Sequence, residues 1–130
     1  MASKLGNGIY YLLTQDNGVS ELIGTKVHPG KIPETTSFPA CAYSNNSTRL
    51  STKDATEENE ATVGIDIYAN EYDLCYQIGN AISAVLDRYD GTANGEKMEI
   101  YLTNQSDAAW QSEVEQFHLQ QNYKVWHKST

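Results

Sequence analysis

ATVGIDIYANEYDLCYQIGNAISAVLDRY, residues 61–89, is the stretch on which the reading of this chain turns. Val63, Ile65 and Ile67 alternate with Thr62, Gly64 and Asp66, a period of two that describes a strand with one apolar and one polar face. At Asn70 the period changes. Leu74, Cys75, Ile78, Ala81, Ile82, Val85, Leu86 and Tyr89 recur every three or four residues, the stripe of a helix that needs an apolar surface beneath it. That surface is the apolar face of the strand just before it. Asn70 is the expected N-cap, with Glu71 and Asp73 in the first turn, Arg88 near the C-terminal end, and Asp90-Gly91 as the stop.

Working outward, 130 residues form one domain with a single core, and 39% hydrophobic residues make that core modest. Nine Tyr against two Phe favour half-buried surfaces and interfaces, because each ring carries a polar tip. The net charge of −8 disfavours a grip on nucleic-acid phosphates or anionic membranes, and it also serves solubility. The N-terminus has no apolar run resembling a signal peptide or a membrane span, so the chain is expected to be made and to stay in a cytoplasm. Cys41 and Cys75 read as free thiols in that setting.

Ile9 to Leu13 read as the body of a first helix, entered from a glycine-rich segment and ended by Asp16-Asn17-Gly18. Val19, Leu22 and Ile23 make a further helical turn closed by Gly24. Thr25 to His28 form a brief strand before the Pro29-Gly30 turn, and Phe38 to Tyr43 form another, with Pro39 at its beginning or on an edge. From Ser44 to Glu60 the apolar signal fades to Leu50 and two alanines, and the segment reads as a polar arm or long hairpin tip. Asp90-Gly91 and Asn94-Gly95 bracket a tight loop before the strand of Met98, Ile100 and Leu102, and residues 104–112 hold a turn or short helix. The last strand places Phe117, Leu119, Tyr123 and Val125 on one face, with Gln116, His118, Gln120, Asn122, Lys124 and Trp126 on the other. The sum is an α+β domain: a mainly antiparallel sheet of about four to six strands with helices packed on one face.

The search for chemistry yields no catalytic, cofactor or metal site. His28, His118 and His127 are the natural acid–base or ligand candidates, but an odd offset of nine puts His118 and His127 on opposite faces of one strand. Neither cysteine stands in a zinc spacing with them. Asp66 points away from the helices as part of a polar face, and Glu57, Glu58 and Glu60 match no calcium loop. Gly6 and Gly8 lack the context of a phosphate-cradling loop.

The order of elements carries a resemblance. A helix ending in Leu12-Leu13, then Leu22-Ile23-Gly24-Thr25-Lys26-Val27-His28-Pro29 and Phe38-Pro39-Ala40-Cys41-Ala42-Tyr43, resembles the opening of the small tail-completion, or tail-terminator, proteins of long-tailed bacteriophages. Val63 to Ala69, Glu71-Tyr72-Asp73 and the helix through Leu86-Asp87 are similar to the same family's middle. The resemblance implies a structural protein of the virion, assembled in the host cytoplasm. Such proteins form a ring, typically of six subunits, at the head-proximal end of the tail tube, with the tube protein and head–tail connector proteins as partners and no cofactor. On that reading Arg49, Lys53, Glu57, Glu58 and Glu60 are the charges expected to set register between subunits or with the tube. Trp110 and Trp126 are the aromatic anchors, with core packing as their other role. Rival readings are a head-side connector, a monomeric peptide- or ligand-binding module, and a small enzyme that would depend on His28, His118 and Asp66.

Overall fold

The computed structural model describes residues 4–33, 37–49 and 59–129. Two helices, α1 (Lys4–Gln15) and α2 (Asn17–Ile23), lead into strands β1 (Val27–Pro29), β2 (Ala40–Arg49) and β3 (Asn59–Ala69). Helix α3 (Tyr72–Leu86) follows, then β4 (Tyr89–Ala93), β5 (Glu96–Gln105), β6 (Ala109–Gln111) and β7 (Gln116–Ser129). The strands form one sheet in the order β1-β2-β3-β7-β5-β4, with β6 paired to the start of β7. All pairings are antiparallel except β1 with β2. The α+β reading therefore holds. The sheet runs to seven strands because residues 89–93 and 109–111 also pair.

The alternation of β3 is what seats the helices. Ala61, Val63, Ile65, Ile67 and Ala69 are all buried, joined by Leu119, Tyr123 and Val125 of β7 and Met98 and Ile100 of β5. Against this face α3 lays Cys75, Ile78, Ile82 and Leu86, while α1 and α2 add Leu5, Ile9, Leu13, Val19 and Ile23. Each large side chain buried here contributes roughly 1.5–3 kcal/mol. Gly79 lets α3 approach closely, since a Cβ there would stand 3.3 Å from Gln121 Nε2 and 3.5 Å from a Leu119 methyl.

The structure corrects several element boundaries. Asn70 is not the N-cap of α3. The β3 ladder holds the backbone extended through Ala69, and Glu71 occupies the cap position, its carbonyl accepting from Cys75 N. Nor does the helix reach Tyr89 or stop at Asp90-Gly91. Asp87 closes it, Arg88 turns at φ 66 with its N–H bonded to Ile100 O, and Asp87 Oδ1 accepts from Leu102 N. Strand β5 offers these bonds, so Tyr89 and Asp90-Gly91 enter β4. Asn94-Gly95 does turn the following hairpin, with φ of 51 and 82, the left-handed pair that two-residue hairpin turns require. Asp16 caps α2 through Oδ2 to Val19 N, so Asn17 and Gly18 are helical and only Asp16 separates α1 from α2. Gly24, at φ 63, ends α2 as expected. Residues 104–112 hold the end of β5 and all of β6 in place of a turn or short helix. Strand β2 continues past Tyr43 to Arg49, paired with Asn59.

Among the described residues no helix is long and apolar enough to cross a membrane.

Candidate interaction surfaces

The helices leave one face of the sheet uncovered. On it the pairing register brings Glu60 opposite Trp126 and Thr62 opposite Lys124. Lys124 Nζ stands 2.8 Å from Glu60 Oε1 and 5.3 Å from the centre of the Trp126 ring. One cation thus ties a carboxylate to an indole face, and Trp126 remains 37% exposed. Tyr101, 47% exposed, lies beside this group as the β5 partner of Lys124. Arg49 is placed by its backbone pairing with Asn59, next to Glu60. Lys53, Glu57 and Glu58 lie outside the described residues.

Trp110 is elsewhere. It pairs with Phe117, whose neighbours Ala69 and Leu119 belong to the helix-covered side, and its ring meets Phe117 edge-on at 5.1 Å. Phe117 in turn meets Tyr72 of α3 at 5.9 Å, and Tyr72 contacts Tyr76. Asp107 fastens this cluster, accepting a hydrogen bond from Tyr72 Oη at 2.7 Å and a second from Tyr76 Oη. The hydroxyls of Tyr76 and Tyr72 hold the Asp107 carboxyl below the usual carboxylate range. The Tyr72 phenol is pushed up, first by its bond to Asp107. Trp110 is 53% exposed and Tyr72 43%, so this is an aromatic patch locked in shape and open to solvent. Nine residues of β7 separate the levels of Trp110 and Trp126, about 30 Å along a strand.

The histidines do not converge. His118 is on the uncovered face, where Nε2–H donates to Asp66 Oδ1 at 2.7 Å and the ring stacks on Tyr68 at 4.6 Å. His127 is buried on the helix side, its Nδ1 2.6 Å from Glu96 Oε2. His28 pairs across to Ala42 on β2. No group of three or more His, Cys, Asp or Glu among the described residues is arranged to hold a metal. Asp66 also lines a groove of ≈ 530 Å³, floored by Ala42 and Tyr68 and walled by residues 30–33 with Phe38 on one side and by Glu113 and Val114 on the other.

Sequence reasoning missed Lys124 as the link between Glu60 and Trp126, and missed the Asp66–His118 pair. The period of two put Lys124, Trp126, Asp66 and His118 on the outer face, and Glu60 fell in the polar arm; the register that makes them neighbours is not written in either strand alone. It also passed over Gln121, whose parity with Leu119 and Tyr123 places it inside.

A model of the family described as Tail completion protein gp17 matches residues 7–128. Among solved structures, a chain described as "Virion of native gene transfer agent (GTA) particle" superposes with a TM-score of 0.80 at 12% sequence identity, covering 99% of this chain and 100% of that one. At that identity the likeness is one of fold. No curated protein matches.

Proposed function

The chain belongs to the family of Tail completion protein gp17, and from that premise we propose that six copies close into a ring that caps the tail tube and joins it to the head. It is a structural protein of the virion tail. Its work is adhesion and shape, with no bond made or broken. The tube protein and the head–tail connector proteins are its partners, and a bore of net negative charge would not hold a passing DNA backbone.

The observation that supports ring closure is the pair of unlike aromatic patches at opposite ends of β7 and on opposite sides of the sheet. Contacts between two different patches of one subunit are heterologous, and such contacts generate rings when the rotation closes. The Trp126 patch of one copy docks on the Trp110 patch of the next. Glu60 belongs to the first patch, and its charge, with those of Arg49, Lys53, Glu57 and Glu58, sets register between subunits or with the tube.

Mixing two variants tests this. Trp110→Ala and Trp126→Ala each remove one half of the contact, and an anchor tryptophan typically contributes more than about 2 kcal/mol. Each variant alone should stay monomeric by sedimentation, with or without tube protein, and fold normally by circular dichroism. Mixed together they should give dimers and nothing larger, because only one intact pairing remains. Monomers in the mixture, where the native protein forms rings, refute the head-to-tail contact. A native protein that stays monomeric with tube protein present refutes the ring.

A further inference from the structure

The groove on the uncovered sheet face has no part in the ring contact just described. We propose that it is a socket for an arginine side chain presented by an extended segment of another tail protein. That the segment comes from a tail protein rests on the function proposed above; the choice of arginine rests on the groove alone.

Its size, ≈ 530 Å³, falls among sites that enclose small groups. The walls are apolar, from Ile32, Pro33 and Phe38 on one side and Val114 on the other, which suits the aliphatic stem of a long side chain. The floor is charged. Asp66 stands there, only partly exposed, with Oδ1 engaged by His118 and with no hydrogen bond to Oδ2 among the described residues. Glu113 adds a second carboxylate at the wall. Beside Asp66 lies the Tyr68 ring, held by His118 stacked on it at 4.6 Å and by Phe38 at 6.1 Å. A carboxylate next to fixed aromatic rings matches a guanidinium, which can both stack and form paired hydrogen bonds.

Other occupants fit less well. A neutral group would cover Asp66 without compensating its charge. An anion would meet two carboxylates and a single cation, Lys31, which is exposed at the rim. Lys31 has the sign of the proposed guest, so its removal should help binding.

The test uses the full chain and two blocked amino acids of nearly equal shape, N-acetyl-arginine amide and the neutral N-acetyl-citrulline amide, titrated while backbone amide shifts are followed by NMR. Arginine amide should give saturable shifts around residues 30–33, 66, 68 and 113–114, and should bind about tenfold tighter than citrulline amide, the effect of one charge-assisted hydrogen bond. Asp66→Asn and Glu113→Gln should each weaken it, and Lys31→Gln should strengthen it. Glu113 is exposed, so its variant keeps the test valid should Asp66→Asn disturb His118. Equal affinity for the two amides, or weaker arginine binding in Lys31→Gln, overturns the socket. A photo-crosslinker replacing Val114 in assembled tails should capture a peptide of another tail protein that contains arginine; capture of a segment without arginine, or of nothing, overturns the protein guest. Mass measured on the same chain with tube protein present separates the two readings. Arginine binding by a strict monomer keeps the socket and sinks the ring, while rings that ignore arginine do the reverse.

Discussion

Replacing Gln121 by leucine should destabilise the fold, and replacing its partner as well should restore most of the loss. Gln121 is fully buried between β7 and α3 with every polar atom of its amide engaged. Nε2 donates to Gly79 O at 2.9 Å and to Gln105 Oε1 at 2.7 Å, while Oε1 accepts from Tyr123 Oη at 2.7 Å. In Gln121→Leu, the exposed Gln105 amide can turn to water and Gly79 O keeps its place in the helix. Tyr123 Oη cannot reach water, because Tyr123 is itself fully buried. An orphaned buried hydroxyl costs about 1–3 kcal/mol, and the added apolar burial offsets part of it, leaving a net loss of about 2 kcal/mol. Tyr123→Phe orphans Gln121 Oε1 in turn, for about 1–2 kcal/mol. The double variant has neither orphan, so its cost should fall to below about 1 kcal/mol, under the sum of the singles by about 2 kcal/mol or more. Urea unfolding at several protein concentrations measures this while separating folding from association. Singles that add to within about 0.3 kcal/mol, or a Gln121→Leu variant as stable as the native chain, would refute the network as a cooperative unit.

Three further outcomes follow from the same structure. Burial, with the Asp66 charge adding, pushes the Cys41 thiol up to about 12. Its neutral form is thus favoured by folding, a contribution present below the ordinary thiol range and lost as pH rises through about 12. At pH 8 iodoacetamide should leave Cys41 unmodified until urea is added, and modification of the folded protein at the unfolded rate, read by peptide mass, would contradict this. Tyr76→Phe should raise the titration midpoint of Asp107 toward the ordinary carboxylate value, seen by carboxyl carbon NMR. The native bonds stabilise the fold above that ordinary value and fade as pH falls through the lowered one, so an unmoved midpoint would deny them. Gly95→Ala should cost about 1 kcal/mol in unfolding free energy, because φ of 82 strains any residue with a Cβ; no loss would mean the hairpin turns differently.

The legible parts of this fold are those where one element carries its own signal. Val63, Ile65 and Ile67 alternate because one side of β3 meets helices and the other does not, and Asn94-Gly95 turns because both positions need positive φ. What escaped depends on a partner distant in sequence. Tyr89 continues the stripe of α3, yet the carbonyl of Ile100 and the amide of Leu102 draw the chain into the sheet three residues earlier. Strand β2 beyond Tyr43 has no alternation to read, since Ser44 and Asn45 are both exposed. The two tryptophans are a similar case: burial and interface roles write the same residue into a sequence, and only the folded exposure of Trp110 and Trp126 keeps them out of the core.

The edges of the sheet bear on how copies would meet. A ring that ends growth must not offer a strand edge on which further chains can add, since an open edge templates pairing without limit. At one end of the sheet β1 is three residues long and finishes in Pro29, which has no amide hydrogen to give. At the other end β4 has five residues, with Asp90 exposed and Gly91 at its centre. Both are poor templates. Where β1 and β4 form the edge, strand addition is thus disfavoured and side-chain patches determine the contact. The angle at that contact decides closure. Making the β4 edge apolar should therefore do more harm than trimming a patch. Asp90→Val with Gly91→Val, which turns β4 into a flat apolar edge, should convert discrete assemblies into polydisperse material by sedimentation, whereas Trp126→Ala should leave only monomers. Discrete particles from the β4 double variant would show that the edge is already closed by something other than its sequence.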